Sequence, residues 1–182
     1  MSLVPLDETY ILYNPSDWAS TVSAYLALAP ILILMFYLSW FITSWELEPL
    51  LVAAGQLLNE ALNKILKRLF KQNRPGPEPH GGGPGYGMPS AHAQFVAFAA
   101  VYLTLRIALQ WPEPLQRNTA LVLLVWAGAL AIAASRVYLN YHSLEQVCVG
   151  WQVGCSCSLA TTLAVVVGGR PSFGCRTGWF GR

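Results

Sequence analysis

Residues 18–43 read WASTVSAYLALAPILILMFYLSWFIT, with no charged side chain anywhere in the run. A helix needs about 20 mostly apolar residues to cross the hydrocarbon core of a bilayer, and this stretch exceeds that length. The polar Asp7-Glu8 start and the absence of a basic region before the run argue against a cleaved signal peptide, so the segment is expected to stay in the membrane. Four further runs follow it, at 47–66, 91–111, 118–139 and 144–168. The second carries Gln56, Asn59, Glu60 and Asn63, and the third carries Arg106; both must face protein or water in part, because ionisable groups in lipid are costly. The sequence therefore predicts an all-α fold, a polytopic membrane helical bundle of about five transmembrane helices, with residues 1–182 forming one domain.

The composition agrees. Hydrophobic residues make up 54% of the chain and charged residues 11%, against about 25% charged in soluble domains. A net charge of +2 with no basic stripe implies no nucleic-acid partner. Cys148, Cys155, Cys157 and Cys175 fit no paired metal spacing and are expected to pack as small apolar groups.

With five helices, the loop before the third and the loop before the fifth lie on one membrane face. The first holds Lys67, Arg74, Ser90 and His92, and the second holds Ser135, Arg136 and His142. Segments distant in sequence thus deliver three cations and two imidazoles to the same side. Lys67 and Arg74 stand two helical turns apart at the end of a helical pattern, so both can point to one face. Pro75 then turns the chain into GPEPHGGGPGYG, a Gly- and Pro-rich connector. Alone, the basic cluster reads more readily as a solvated interfacial belt or a contact with anionic headgroups.

In MPSAHAQF, Ser90 stands as an N-cap candidate before a long helix, whose first-turn amides form an anion site. His92 lies beside that site, placed to donate a proton to an oxygen leaving phosphorus or to serve only as an interfacial histidine. In SRVYLNYHSLEQV, Arg136 offers a planar fork for phosphate oxygens and neutral His142 can attack phosphorus. Ser143 and Gln146 match a capping box, so Gln146 is either a cap or an acceptor that orients His142. Glu145 is a second orienting candidate, or a favourable charge near a helix start.

Together these clusters resemble the signature of the type 2 phosphatidic acid phosphatase superfamily: Lys-x6-Arg-Pro, Pro-Ser-x-His and Ser-Arg-x5-His. Here they read Lys67 to Arg74-Pro75, Pro89-Ser90-Ala91-His92, and Ser135-Arg136 to His142. Leu58-Asn59-Glu60, YGMPS over 86–90 and SRVYL over 135–139 look most like the dolichyl-diphosphate phosphatase branch, and the resemblance covers roughly residues 50–155. Two positions depart from the broad signature. Ala91 stands where many members have glycine, and Gln146 where many have an acid; the glutamine also looks like the dolichyl branch. The tail after the fifth run is shorter than in relatives of this branch.

The resemblance implies a cofactor-free, metal-independent lipid phosphatase working through phosphohistidine. His142 would be the nucleophile and His92 the proton donor, while Lys67, Arg74, Ser90 and Arg136 would hold the phosphate. It implies dolichyl diphosphate or a related polyprenyl diphosphate as substrate, no protein partner, and an endoplasmic reticulum membrane with the site facing the lumen. Other readings are a phosphatase of a different lipid phosphate such as phosphatidate, a non-catalytic lipid-phosphate binder, and a channel using Glu60 and Arg106. Charge does not set the orientation, since six basic residues near the motif face oppose five near the other.

Overall fold

The computed structural model describes residues 4–6, 11–75, 85–110 and 115–167. A short antiparallel pair, β1 (Val4–Leu6) and β2 (Ile11–Tyr13), precedes six helices: α1 (Trp18–Leu26), α2 (Ala29–Ser44), α3 (Glu48–Phe70), α4 (Ala91–Gln110), α5 (Leu115–Tyr138) and α6 (Leu144–Val167). Among the described residues, four stretches are long and apolar enough to cross a membrane: Trp18–Ser44, Ala91–Ala108, Arg117–Tyr138 and Leu144–Val165. The chain is an integral membrane helical bundle. The connector over 76–84, the tail beyond 167 and Cys175 lie outside the described residues.

The fifth long helix, α3, shows how a membrane bundle treats an impure run. Gln56, Asn59 and Asn63 are buried, whereas Leu57, Leu58, Ile65 and Leu69 are exposed on the outer surface. Its polar stripe faces α4 and its apolar face points outward, the reverse of a soluble amphipathic helix. Asn63 Nδ2 donates to Gln94 Oε1 at 2.7 Å, and Gln94 Nε2 donates to Asn59 Oδ1 at 2.7 Å. This buried amide ladder ties α3 to α4 just below the motif-bearing end.

The first run is not one helix. Pro30 lacks an N–H and its ring would meet the carbonyl four residues back, so α1 ends at Leu26 and α2 begins at Ala29. The β1–β2 pair is likewise absent from the hydrophobic pattern, because strands of three residues leave no periodic signal. The cysteine expectation holds in part: Cys157 packs against the core around Tyr37, Val52, Phe98 and Tyr102, and Cys155 is half-buried. Cys148 faces outward and is exposed, so it does not pack inside.

α4 is the central helix, packed against α2, α3, α5 and α6. Its contact with α6 is so close that a Cβ on Gly150 would lie 2.5 Å from the Ser90 carbonyl oxygen, and one on Gly154 would strike the Gln94 carbonyl. The obstacle is backbone, so it cannot swing aside. Small residues let two membrane helices approach in this way. Gly154→Ala is therefore expected to destabilise the protein in detergent by about 1–3 kcal/mol. Gly128→Ala in α5, where a Cβ meets nothing within 4 Å, is the matched control and should melt no lower than wild type. Equal melting temperatures for the two variants would contradict the close packing.

Candidate active site

Residues 71–75 and 85–90 meet the α5–α6 turn at one end of the bundle. α3 stops at Phe70 because Lys71 turns left-handed at φ 49°, so Arg74 is not on the helix with Lys67 as the two-turn spacing predicts. It sits instead in the 71–74 segment, which is held from two sides. Gly87 N–H donates to the Gln72 carbonyl at 2.7 Å, and Gln146 Nε2 donates to the Asn73 carbonyl at 2.9 Å. Arg74 thus reaches the site by a loop clamp rather than by helical register.

The spacing of Arg136 and His142 has a local cause. α5 ends at Tyr138, Asn140 adopts φ 61°, and the His142 N–H returns to the Arg136 carbonyl at 3.2 Å. Asparagine is one of the few residues that enters the left-handed region readily. Arg136 itself is 2% exposed: its Nε donates to Ser135 Oγ at 3.3 Å, its Nη2 to the Ser23 carbonyl at 3.1 Å, and its guanidinium lies 5.7 Å from the Tyr141 ring centroid.

His142 is 4% exposed, and its Nδ1 lies 3.2 Å from Gln146 Oε1. The amide orientation is fixed by its surroundings, because Gln146 Nε2 donates to the Gln72 Oε1 and Asn73 carbonyl acceptors at 3.0 and 2.9 Å. An amide oxygen only accepts, so His142 Nδ1 carries the proton and Nε2 keeps its lone pair. The capping box forms as well, with Ser143 N–H to Gln146 Oε1 and Gln146 N–H to Ser143 Oγ, both at 3.3 Å. Cap and acceptor are therefore one side chain, not alternatives. Glu145, the other orienting candidate, is exposed, and the His142 hydrogen bond goes to Gln146.

Burial first, and then the charges of Arg74, Lys67 and His92, push the His142 pKa down to about 3, against the opposing pull of the Gln146 hydrogen bond. The imidazole is thus neutral, the form that can attack phosphorus, throughout the physiological range. Ser90 is fully buried at the start of α4, where its carbonyl receives the Gln94 N–H and its own N–H goes to the Gln146 carbonyl at 3.0 Å. Among the described residues its Oγ makes no hydrogen bond, so it does not cap the helix and can meet a ligand oxygen. His92, in the first turn of α4, holds the Ala27 carbonyl at 3.1 Å through Nε2.

Lys67, Arg74 and His92 lie within electrostatic range of His142, backbone bonds tie Arg136 to His142 and Ser90 to Gln146, and Glu145 is turned out to the surface. Arg106, part of the channel reading, pairs with Glu48 at 2.8 Å and stacks over Trp40. Sequence reasoning missed Gln72, Asn73 and Gly87. A Cβ on Gly87 would lie 2.6 Å from Gln146 Oε1, so glycine there makes room for the amide. That Gly87 precedes the MPS motif was the one available signal.

The PAP2 superfamily model matches residues 48–168, about two thirds of the chain. The chain belongs to the PAP2 superfamily. It is 46% identical to the dolichyldiphosphatase of Saccharomyces cerevisiae over 84% of this chain and 66% of that protein. A putative dolichyldiphosphatase of Neurospora crassa is 34% identical over 87% of this chain and 76% of its own length. Several curated relatives are thus spanned over about two thirds of their length. The fold also matches the crystal structure of the first transmembrane PAP2 type phosphatidylglycerolphosphate phosphatase from Bacillus subtilis, with a TM-score of 0.69 at 19% identity over 82% of this chain and 76% of that one. The PAP2 match includes every clustered side chain described above but begins after α2, so the carbonyls of Ser23 and Ala27 lie outside it.

Proposed function

We propose that this PAP2 protein hydrolyses dolichyl diphosphate to dolichyl phosphate and inorganic phosphate, recycling the lipid carrier of protein N-glycosylation. The observation that carries the reading is a neutral His142 with Nδ1 held by Gln146 and Nε2 left open, inside a ring of fixed cations. His142 Nε2 attacks the terminal phosphorus, the bridging P–O bond breaks, and the departing dolichyl phosphate takes a proton from His92. Water then attacks the phosphohistidine, giving its proton to His92 and releasing inorganic phosphate and free His142. Lys67, Arg74, Arg136 and Ser90 Oγ stabilise the charge spread over the equatorial oxygens, the main catalytic task in phosphoryl transfer.

The names of the relatives support the diphosphate substrate, and the apolar outer faces of the bundle suit a substrate held in the bilayer. The same reading puts the enzyme in the endoplasmic reticulum membrane with the site facing the lumen. Purified protein in detergent should release phosphate from dolichyl diphosphate faster than from phosphatidate; the opposite ranking would reassign the substrate. Three fixed cations take the place a metal fills elsewhere, so activity should survive excess EDTA. Loss on chelation with recovery on adding magnesium would overturn the metal-free step.

A further inference from the structure

The end of α1 lies against the motif residues, and its backbone explains why. Ala27 N–H bonds the Ala24 carbonyl, three residues back, at 3.2 Å, which leaves the Ser23 carbonyl without its α-helical partner. Beyond the break, Ile31 N–H bonds Leu28 O at 3.0 Å, which leaves the Ala27 carbonyl outside the ladder too. Pro30 enforces this gap, because in a continuous helix its ring would meet the Leu26 carbonyl. Each released carbonyl is taken by a motif side chain: Ser23 O by Arg136 Nη2 at 3.1 Å and Ala27 O by His92 Nε2 at 3.1 Å. The C-terminal end of a helix carries partial negative charge, so it favours cationic groups there. Two more bonds pin the same segment over the α5–α6 turn: Tyr138 Oη to Asp17 Oδ2 at 2.6 Å and Leu12 N–H to Tyr141 Oη at 2.9 Å.

We propose that residues 11–28, outside the span of the family match, are a positioning part of the catalytic site, in which the Ala27 carbonyl released at the Pro30 break holds His92 in the tautomer and orientation for proton transfer. A carbonyl only accepts, so Nε2–H is committed to Ala27 and Nδ1 is the atom that gives and regains the proton. The inference rests on His92 being the proton donor. Arg136, Lys67 and Arg74 are the charged side chains that face this imidazole.

The test uses this chain in detergent with two probes, farnesyl monophosphate, whose alkoxide leaving group needs a proton, and p-nitrophenyl phosphate, whose leaving group does not. His92→Ala is the benchmark and should lose turnover on farnesyl monophosphate far more than on p-nitrophenyl phosphate. Pro30→Ala lets α1 and α2 join and gives Ala27 O to the Ile31 N–H. It should reproduce the same probe bias, with kcat on farnesyl monophosphate reduced on the order of 10-fold. The alkaline limb of its pH profile should move to lower pH, because the protonated acid has lost a partner. Tyr138→Phe, which removes only the pin at Asp17, should move both readouts in the same direction by less, and it decides the matter if Pro30→Ala fails to fold. Should His92→Ala slow both probes equally, the donor assignment falls and this inference with it. A biased His92→Ala beside folded Pro30→Ala and Tyr138→Phe variants with wild-type turnover and pH profiles would overturn the positioning role alone.

Discussion

His142→Ala is expected to abolish phosphate release, with a loss on the order of 10^4-fold or more, and to leave a folded membrane protein. The size of the effect follows from the proposed role, since the substitution removes the attacking nitrogen itself. Nδ1 is committed to Gln146 Oε1, and the depressed pKa of about 3 keeps Nε2 unprotonated. Retention of the fold follows from the local bonds. Gln146 Oε1 keeps the Ser143 N–H and Gln146 Nε2 keeps the Asn73 carbonyl, so α6 still starts at the same place and the 71–74 segment stays clamped. Phosphate release should be measured beside size-exclusion profile and melting temperature in one detergent. A monodisperse mutant with wild-type turnover would remove the nucleophile from His142.

Gln146→Glu is the second large effect, and it separates this protein from superfamily members that carry an acid at this position. Glutamate keeps an oxygen for His142 and for the Ser143 cap but loses both N–H groups, and it turns a carboxylate oxygen toward the Gln72 and Asn73 acceptors. A buried acceptor facing an acceptor costs roughly 1–3 kcal/mol, so turnover should fall about 10- to 100-fold as the segment carrying Arg74 loosens. KM should rise with it, because Arg74 is proposed to bind phosphate. The pH profile carries a sign of its own. A carboxylate beside the imidazole stabilises the imidazolium and raises the His142 pKa above about 3, so activity lost on acidification disappears at higher pH than in wild type. Gln146→Ala removes both functions and should lose turnover without that shift of the acid limb. Superimposable rates and profiles for wild type, Gln146→Glu and Gln146→Ala would reduce Gln146 to a helix cap.

The sequence by itself determined the membrane class, the motif residues and the face they share. Each rests on one-dimensional information: hydrophobic length sets the crossings, and the parity of crossings sets the side on which a loop emerges. Even the polar side chains of residues 47–66 announced that this helix must turn a face inward, because amides in lipid have no other remedy. Tertiary structure decided the rest. Whether Gln146 or Glu145 serves His142 depends on a rotation of 100° about the start of α6, and only packing against Gly87 and Asn73 selects the buried one. Arg74 reaches the site through a clamp between residues more than 70 positions apart, and the Ser23 and Ala27 carbonyls act as backbone atoms whose chemistry no side-chain pattern encodes. Such contacts depend on helix-to-helix distances, which are set here by where glycines let α6 close on α4 and where Pro30 breaks the first membrane run.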